Sequence, residues 1–197
     1  LFTRDDLMPA GWLREPKSNY HRADIIIVTK CPLQISESER RGVMDEIKPY
    51  RYQKIYFSTI QYAPMYSFYD AAFKVELNKN IDVLLVCGIA KYEELKSYLE
   101  TKARHVYVRD YRDHHRFDFY DLDAIRETFA NMETDKKVIV TTEKDAARLE
   151  EHRHWFLQNK IEIFVQPISI NFLDDDGEKF NADILHFVEA TKQKFSN

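Results

Sequence analysis

The sequence predicts an α/β fold: a mostly parallel sheet with helices on both faces, forming a three-layer α/β/α lobe, plus a β-rich linker. Short apolar and β-branched runs recur along the chain, and their nearly continuous hydrophobicity is typical of strands buried on both faces. Amphipathic helical patterns separate several of these runs. Alternating strands and helices favour parallel pairing with right-handed crossovers. With 197 residues, 44% of them hydrophobic, the chain is long enough to bury a core.

Six apolar runs predict the strands. In chain order they are DIIIVTKC from Asp24, KIYFSTI from Lys54, IDVLLVCGI from Ile81, HVYVRDY from His105, KVIVTT from Lys137 and IEIFVQPISI from Ile161. Tyrosine and phenylalanine crowd the stretch around Pro64. We interpret 50–80 as an aromatic β-linker that joins the end of one lobe, 1–49, to a second lobe, 81–197.

Helical signals occur in four segments. A capping box of Ser36 and Glu39 predicts a helix that ends near Pro49. The other three segments carry apolar stripes, namely Leu95, Tyr98 and Leu99 after Gly88; Leu122, Ile125, Phe129 and Met132 behind an N-cap at Asp121; and Ile184, Phe187, Val188 and Phe195 in a helix from Asn181.

Composition excludes several classes of protein. A formal net charge of -4 does not suit a nucleic-acid binder. The two cysteines form no CxxC pair, which favours a reducing, cytoplasmic compartment. No run reaches the roughly 20 apolar residues of a membrane span. The chain opens at Leu1 on a loop-like stretch, so we expect a piece of a longer protein.

Only four glycines are present, and no GxxxxGK[ST] or GxGxxG pattern can be drawn through them. Close backbone approach to phosphates requires such glycines. We therefore expect this chain alone to bind no cofactor, because a nucleotide-dependent activity of those classes would need residues outside it. Nothing in the sequence predicts a metal site.

The sharpest candidate site is the stretch from Asp113 to Phe117, which follows a predicted strand. In parallel sheets the functional groups gather beyond the carboxyl ends of the strands. His114, oriented by a carboxylate such as Asp113, could take a proton from a substrate hydroxyl as a general base. The alternative is an exposed polar loop in which Asp113 is a turn residue.

Two further stretches carry candidate residues. Glu143, Lys144 and Asp145 follow another predicted strand, where they could face the same cleft and attract a phosphate or ribose. Helix capping by Thr142 and Asp145 is the favoured explanation for that stretch. Near the amino end, Arg14 could pair with a phosphate and Glu15 with sugar hydroxyls, the alternative being a surface ion pair.

Taken in order, LMPAGWLREP, RADIIIVTK, LLVCGIA, YRDHHRF, VTTEKDAARL and IEIFVQPISINFL resemble the tetraacyldisaccharide 4'-kinase (lipid A 4'-kinase) family over essentially the whole chain. The elements are more specific jointly, and in this order, than singly. Trp12 stands where the family usually has a proline, while Gly11, Arg14, Glu15 and Pro16 remain.

The resemblance implies a P-loop-kinase-related enzyme of two lobes. Segment 1–49 would be the tail end of the nucleotide-binding lobe, and 81–197 the carboxyl-terminal lobe. The family transfers the γ-phosphate of ATP, with Mg²⁺, to the 4'-hydroxyl of a tetraacylated glucosamine disaccharide 1-phosphate in lipid A biosynthesis. The partners implied are this glycolipid and the missing amino-terminal lobe, whose peripheral contact would be with the cytoplasmic face of the bacterial inner membrane.

The resemblance also implies roles for the candidate residues. His114, with Asp113 beside it, would be the base-side histidine that reaches toward an aspartate of the missing lobe. Arg14 and Glu15 would line the substrate side, so we expect loops from distant stretches to converge on one crevice. Two other functions remain open, a non-catalytic module that binds a phosphorylated sugar and a DHH-type metal phosphoesterase.

Overall fold

The structure is a computed structural model that describes the backbone of residues 1–195 and the side chains of residues 1–192. It divides into two compact units, the first formed by Leu1–Gln61 with Ser169–Asn197 and the second by Tyr62–Ile168. These boundaries differ from the predicted segments 1–49, 50–80 and 81–197, whose assignment to lobes stays a prediction. Each unit is described below by itself.

The strands in the described residues are β1 Ile25–Val28, β2 Lys54–Tyr62, β3 Met65–Ser67, β4 Lys74–Val75, β5 Asp82–Cys87, β6 Val106–Asp110, β7 Lys137–Thr142, β8 Ile163–Gln166 and β9 Ile168–Phe172. The α-helices are α1 Glu37–Ile47, α2 Glu93–Lys102, α3 Phe119–Ala130, α4 Glu143–Leu149, α5 Arg153–Gln158 and α6 Asp176–Phe195. The predicted α/β class is confirmed.

The first unit is built on a three-stranded sheet of order β1-β2-β9, in which β1 and β2 run parallel. The predicted capping box of α1 is present: Ser36 accepts from the Glu39 N–H, and the Glu39 carboxylate accepts from the Ser36 N–H. Helix α1 ends where Lys48 adopts a left-handed conformation with φ 53°. The small core of the first unit consists of Val28, Cys31, Ile47, Phe57 and Leu173.

The second unit is built on a six-stranded sheet of order β4-β3-β8-β7-β5-β6. Strands β5, β6, β7 and β8 are parallel, whereas β3 pairs antiparallel with both β4 and β8. Alternate residues of β5 point to opposite faces of the sheet. Leu84 and Val86 pack with residues of α3, α4 and α5, while Val83 and Leu85 pack with residues of α2. Helices therefore cover both faces.

Three predicted details are wrong. The run from Ile161 is not one strand, because Pro167 lacks a backbone N–H and separates β8 from β9, which lie in different sheets. The N-cap of α3 is Asp118, and Asp121 is the third helical residue that completes the capping box. The last helix begins at Asp176, five residues before the predicted Asn181.

The predicted apolar stripe of the last helix is not buried. Ile184, Phe187 and Val188 are 39%, 61% and 41% exposed, and the side chain of Phe195 lies outside the described residues. Across the described residues, no helix has the length and apolar character that crossing a membrane requires.

Candidate functional site at one edge of the second sheet

Loops that follow three parallel strands meet at the carboxyl-terminal end of the six-stranded sheet, which is called its edge below. Strands β5, β6 and β7 are parallel, with Cys87 opposite Asp110 and Val86 opposite Thr141. Their carboxyl ends therefore lie side by side, as expected for the functional edge of a parallel sheet. The connections that follow carry the predicted Asp113–Phe117 and Thr142–Asp145 stretches, so the structure brings these two stretches together.

His114 is presented outward from the loop after β6. Its φ of 62° is in the left-handed region, which is uncommon for a residue other than glycine. Its N–H donates to Asp113 Oδ1 over 3.0 Å, and its side chain is 83% exposed. The Asp113 carboxylate also lies 3.8 Å from His114 Nε2. The predicted pair of Asp113 and His114 is thus adjacent in space and open to a ligand.

His115, the next residue, is turned inward instead. Its ring stacks on Tyr111 at 4.7 Å between centroids, and Nε2 lies 2.7 Å from Asp121 Oδ2. It also meets the buried Phe117 edge to face. Because these three contacts hold its ring, His115 anchors the loop that exposes His114.

Asp145 is fully buried and accepts hydrogen bonds from the strand-end loops and from α4. Its Oδ2 accepts from the Gly88 N–H over 2.9 Å and from the Thr142 hydroxyl over 2.8 Å. Its Oδ1 accepts from Arg148 Nη1 over 2.8 Å. Asp145 therefore holds the strand-end loops together, whereas Glu143 and Lys144 beside it are exposed.

Thr142 caps α4 as predicted, because its hydroxyl accepts from the Asp145 N–H. The Asp145 carboxylate differs from a capping-box partner in that it is aimed at Gly88 and Arg148. A side chain at Gly88 would crowd this contact. A Cβ there would lie 3.1 Å from Arg112 O and 3.2 Å from Asp145 Oδ1.

An open cleft of about 290 Å³ lies beside His114. Its lining is formed by His114, His115, Arg116, Ala147, Arg148 and Glu151. Sequence reasoning singled out the histidines but missed Arg148, whose Nη2 lies 3.3 Å from His114 Nδ1. Arg148 is 34 positions from His114 along the chain, so a local motif gives no signal of their contact.

The buried thiol of Cys87 ends β5 at this same edge. Burial, with a smaller effect of the Asp145 carboxylate, raises the pKa of Cys87 to about 12. The thiolate is the reactive form of cysteine, so Cys87 is not a nucleophile near neutral pH.

The Arg14–Glu15 pair lies in the first unit, and both residues are exposed. Glu15 forms an ion pair with Arg22 and accepts from Asn19 Nδ2 over 3.0 Å. The preceding loop is closed by Met8 and Leu13, whose backbone N–H and C=O are bonded at 2.9 Å. Glu15 of this pair is therefore held in place within its unit. Whether it shares a crevice with His114 stays a prediction.

Nothing among the described residues offers a metal site, since no group of three or more His, Cys, Asp or Glu side chains could hold an ion. The four glycines of the sequence form no phosphate loop. That this chain alone binds neither ATP nor Mg²⁺ stays a prediction.

Comparisons with known proteins, by family model and by single relatives, agree on one family. The sequence model described as tetraacyldisaccharide-1-P 4'-kinase matches residues 1–189. The tetraacyldisaccharide 4'-kinase of Phocaeicola vulgatus is 36% identical over 98% of this chain and 54% of its own length. That of Bacteroides thetaiotaomicron is 35% identical over 100% of this chain and 54% of its own length. The chain thus spans about half the length of the curated relatives it matches.

Among solved structures, LpxK from Aquifex aeolicus, determined in complex with ATP, matches with a TM-score of 0.53. The match covers 92% of this chain and 48% of that one at 16% identity, which supports the fold alone. Since the family match extends over nearly all of the sequence, the chain belongs to the tetraacyldisaccharide-1-P 4'-kinase family.

Proposed function

We propose that this chain is the carboxyl-terminal part of an enzyme that phosphorylates the 4'-hydroxyl of a tetraacyldisaccharide 1-phosphate in lipid A biosynthesis. The observation that carries the proposal is the family match over residues 1–189. In the complete enzyme, ATP would supply the phosphoryl group, and residues outside this chain would hold ATP and Mg²⁺. The enzyme would work in the cytoplasm, at the periphery of the inner membrane, through the part absent here.

This chain would contribute positioning and charge rather than nucleotide binding. Phosphoryl transfer depends mainly on aligning the reactants and stabilising charge, so a lobe that closes over the acceptor sugar assists the reaction. His114 would act on the base side of the acceptor hydroxyl, facing an aspartate of the missing part, with Asp113 beside it. Arg14 and Glu15 would contact the glycolipid. The exposure of His114 next to an open cleft supports its role.

The direct test compares the complete protein with this chain alone. Each is incubated with γ-labelled ATP, Mg²⁺ and tetraacyldisaccharide 1-phosphate, and labelled glycolipid is separated by thin-layer chromatography. We expect transfer by the complete protein and none by the chain alone. Glycolipid binding without transfer by the complete protein would favour a non-catalytic module, and transfer by the chain alone would contradict the division of labour proposed here.

Substituting His114 tests the site itself. In the complete protein, His114→Ala should lower the turnover number by on the order of a hundredfold, the size of effect typical of a group that assists proton transfer. His154→Ala is the matched control, since His154 is an exposed histidine on α5 outside the cleft lining. Near-normal turnover of the His114 variant would remove this residue from the mechanism.

A further inference from the structure

A guanidinium lies against one edge of the His114 ring. Arg148 Nη2 is 3.3 Å from His114 Nδ1, and the Arg148 side chain is 22% exposed. An arginine has only donors, whereas a neutral imidazole has one nitrogen that donates and one that accepts. In this contact Nδ1 must therefore be the acceptor. The hydrogen of the neutral ring is then on Nε2.

The far side of the same guanidinium is fixed by the strand-end loops. Arg148 Nη1 donates to Asp145 Oδ1 over 2.8 Å and to Gly88 O over 3.3 Å. Asp145 is in turn anchored by the Gly88 N–H and the Thr142 hydroxyl. The planar fork of arginine thus uses one nitrogen for the buried carboxylate and the other for the histidine, an arrangement that a single ammonium group cannot reproduce.

We propose that Arg148 is a positioning residue that fixes the tautomer and the direction of His114, so that the ring presents an N–H donor at Nε2 to the cleft. The proposal deepens the proposed function and rests on it for its catalytic consequence. A donor at Nε2 suits a histidine that orients a carboxylate of the missing part. It does not suit a histidine that itself removes a proton at Nε2.

The tautomer can be measured on this chain directly. Long-range ¹H–¹⁵N correlation spectra distinguish the two neutral forms of a histidine ring, and His114→Ala identifies the signals by their loss. We expect the Nε2–H form of His114 to dominate in the unsubstituted chain, and the Nδ1–H form to rise in Arg148→Ala. Arg148→Lys should behave like Arg148→Ala while retaining a cation near Asp145, which guards against misfolding of the alanine variant.

Arg126→Ala is the matched control. Arg126 pairs with Asp123 three positions earlier, as Arg148 pairs with Asp145, but it is 49% exposed on α3 and does not line the cleft. Its loss should leave the His114 signals unchanged. Equal proportions of the two tautomers in the unsubstituted chain and in both Arg148 variants would overturn the proposal.

Kinetics of the complete protein provide the second test. Arg148→Ala should lower the turnover number by on the order of tenfold with little change in KM, and guanidinium ion added to the assay should restore part of the loss, whereas ammonium should not. In a His114→Ala background, Arg148→Ala should cause no further loss, because Arg148 acts through His114. An equal loss in both backgrounds would contradict the proposal.

The two tests separate the inference from the proposed function. A complete protein without kinase activity, but with the expected tautomer change in the chain, would remove the kinase function and still support the positioning of His114 by Arg148. An active kinase in which neither Arg148 variant alters the tautomer would support the kinase function and remove Arg148 from it.

Discussion

Asp82 opens the central strand β5, and its carboxylate is almost completely buried, with 2% of the side chain exposed. Two arginine nitrogens hold it, since Arg104 Nε and Nη2 donate to its oxygens over 2.7 and 2.8 Å. This hydrogen-bonded guanidinium lowers the pKa of Asp82, with a smaller contribution from His105. A buried carboxylate without such a partner would be destabilising.

The lowered pKa predicts the direction of a pH effect on stability. A carboxylate whose folded-state pKa is depressed stabilises the fold fully above its unfolded-state pKa of about 3.9, and the stabilisation is lost as the pH falls below that value. Arg104→Gln should therefore lower the free energy of unfolding by about 2 kcal/mol at neutral pH. The difference from the unsubstituted chain should shrink below pH 4. Urea unfolding across the pH range measures both.

Arg126→Gln is the control for that experiment, because Arg126 forms an exposed pair that contributes little. Its unfolding curve should follow that of the unsubstituted chain at every pH. A difference for Arg104→Gln that stayed constant down to pH 2 would show that the arginine acts through packing of its side chain and not through the charge of Asp82.

At the scale of single elements, the start of α3 is joined to the loop that carries His114. The Asp121 carboxylate accepts from the Asp118 N–H over 3.0 Å and lies 2.7 Å from His115 Nε2. Asp118 in return accepts from the Asp121 N–H. The capping box therefore fixes both the helix start and the anchoring histidine.

Substituting the true N-cap tests this arrangement. Asp118→Ala should lower the free energy of unfolding by about 1 kcal/mol, because the first helical N–H groups lose their acceptor, whereas Asp118→Ser should be nearly neutral. Urea unfolding of both variants gives the comparison. Equal destabilisation by alanine and serine would mean that the carboxylate charge, and not the capping geometry, is what matters at this position.

The same helix shows what sequence reasoning could and could not reach. The apolar stripe predicted α3 correctly, but Asp118 and Asp121 are both suitable caps, and the choice depends on backbone geometry that composition does not reveal. Likewise the long apolar run from Ile161 predicts one strand through Pro167, where the structure has two. Strands β5, β7 and β8 were predictable because continuous hydrophobicity marks buried parallel strands, whereas the short antiparallel strands β3 and β4 and the break at Pro167 were not.

For the candidate site, the order of strand and polar loop sufficed to place His114 at a strand end. The contact that orients it could not be predicted, since Arg148 reaches His114 only after β6 and β7 are brought to the same edge of the sheet. The sequence favours helix capping as the role of Asp145, whereas its larger role in holding Gly88 and Arg148 depends on the same tertiary arrangement.

At the scale of the second unit as a whole, β5 is a strand that both helical layers cover. Leu84 and Leu85 are neighbours in sequence, both 0% exposed, and belong to the cores on opposite faces. In a sheet with one solvent-facing side, one of these two side chains would be exposed. The three-layer architecture requires both to be buried.

Leu84→Ala and Leu85→Ala should therefore each lower the free energy of unfolding of this unit by about 3 kcal/mol, since each leaves a cavity in a packed core. Hydrogen exchange of the amides in 62–168, together with urea unfolding, reports the loss. Leu157→Ala is the matched control, because Leu157 is 48% exposed on α5 and should change stability by no more than about 0.5 kcal/mol. If one of the two β5 variants matched this control, the corresponding face of the sheet would not be covered, and the α/β/α layering would be contradicted.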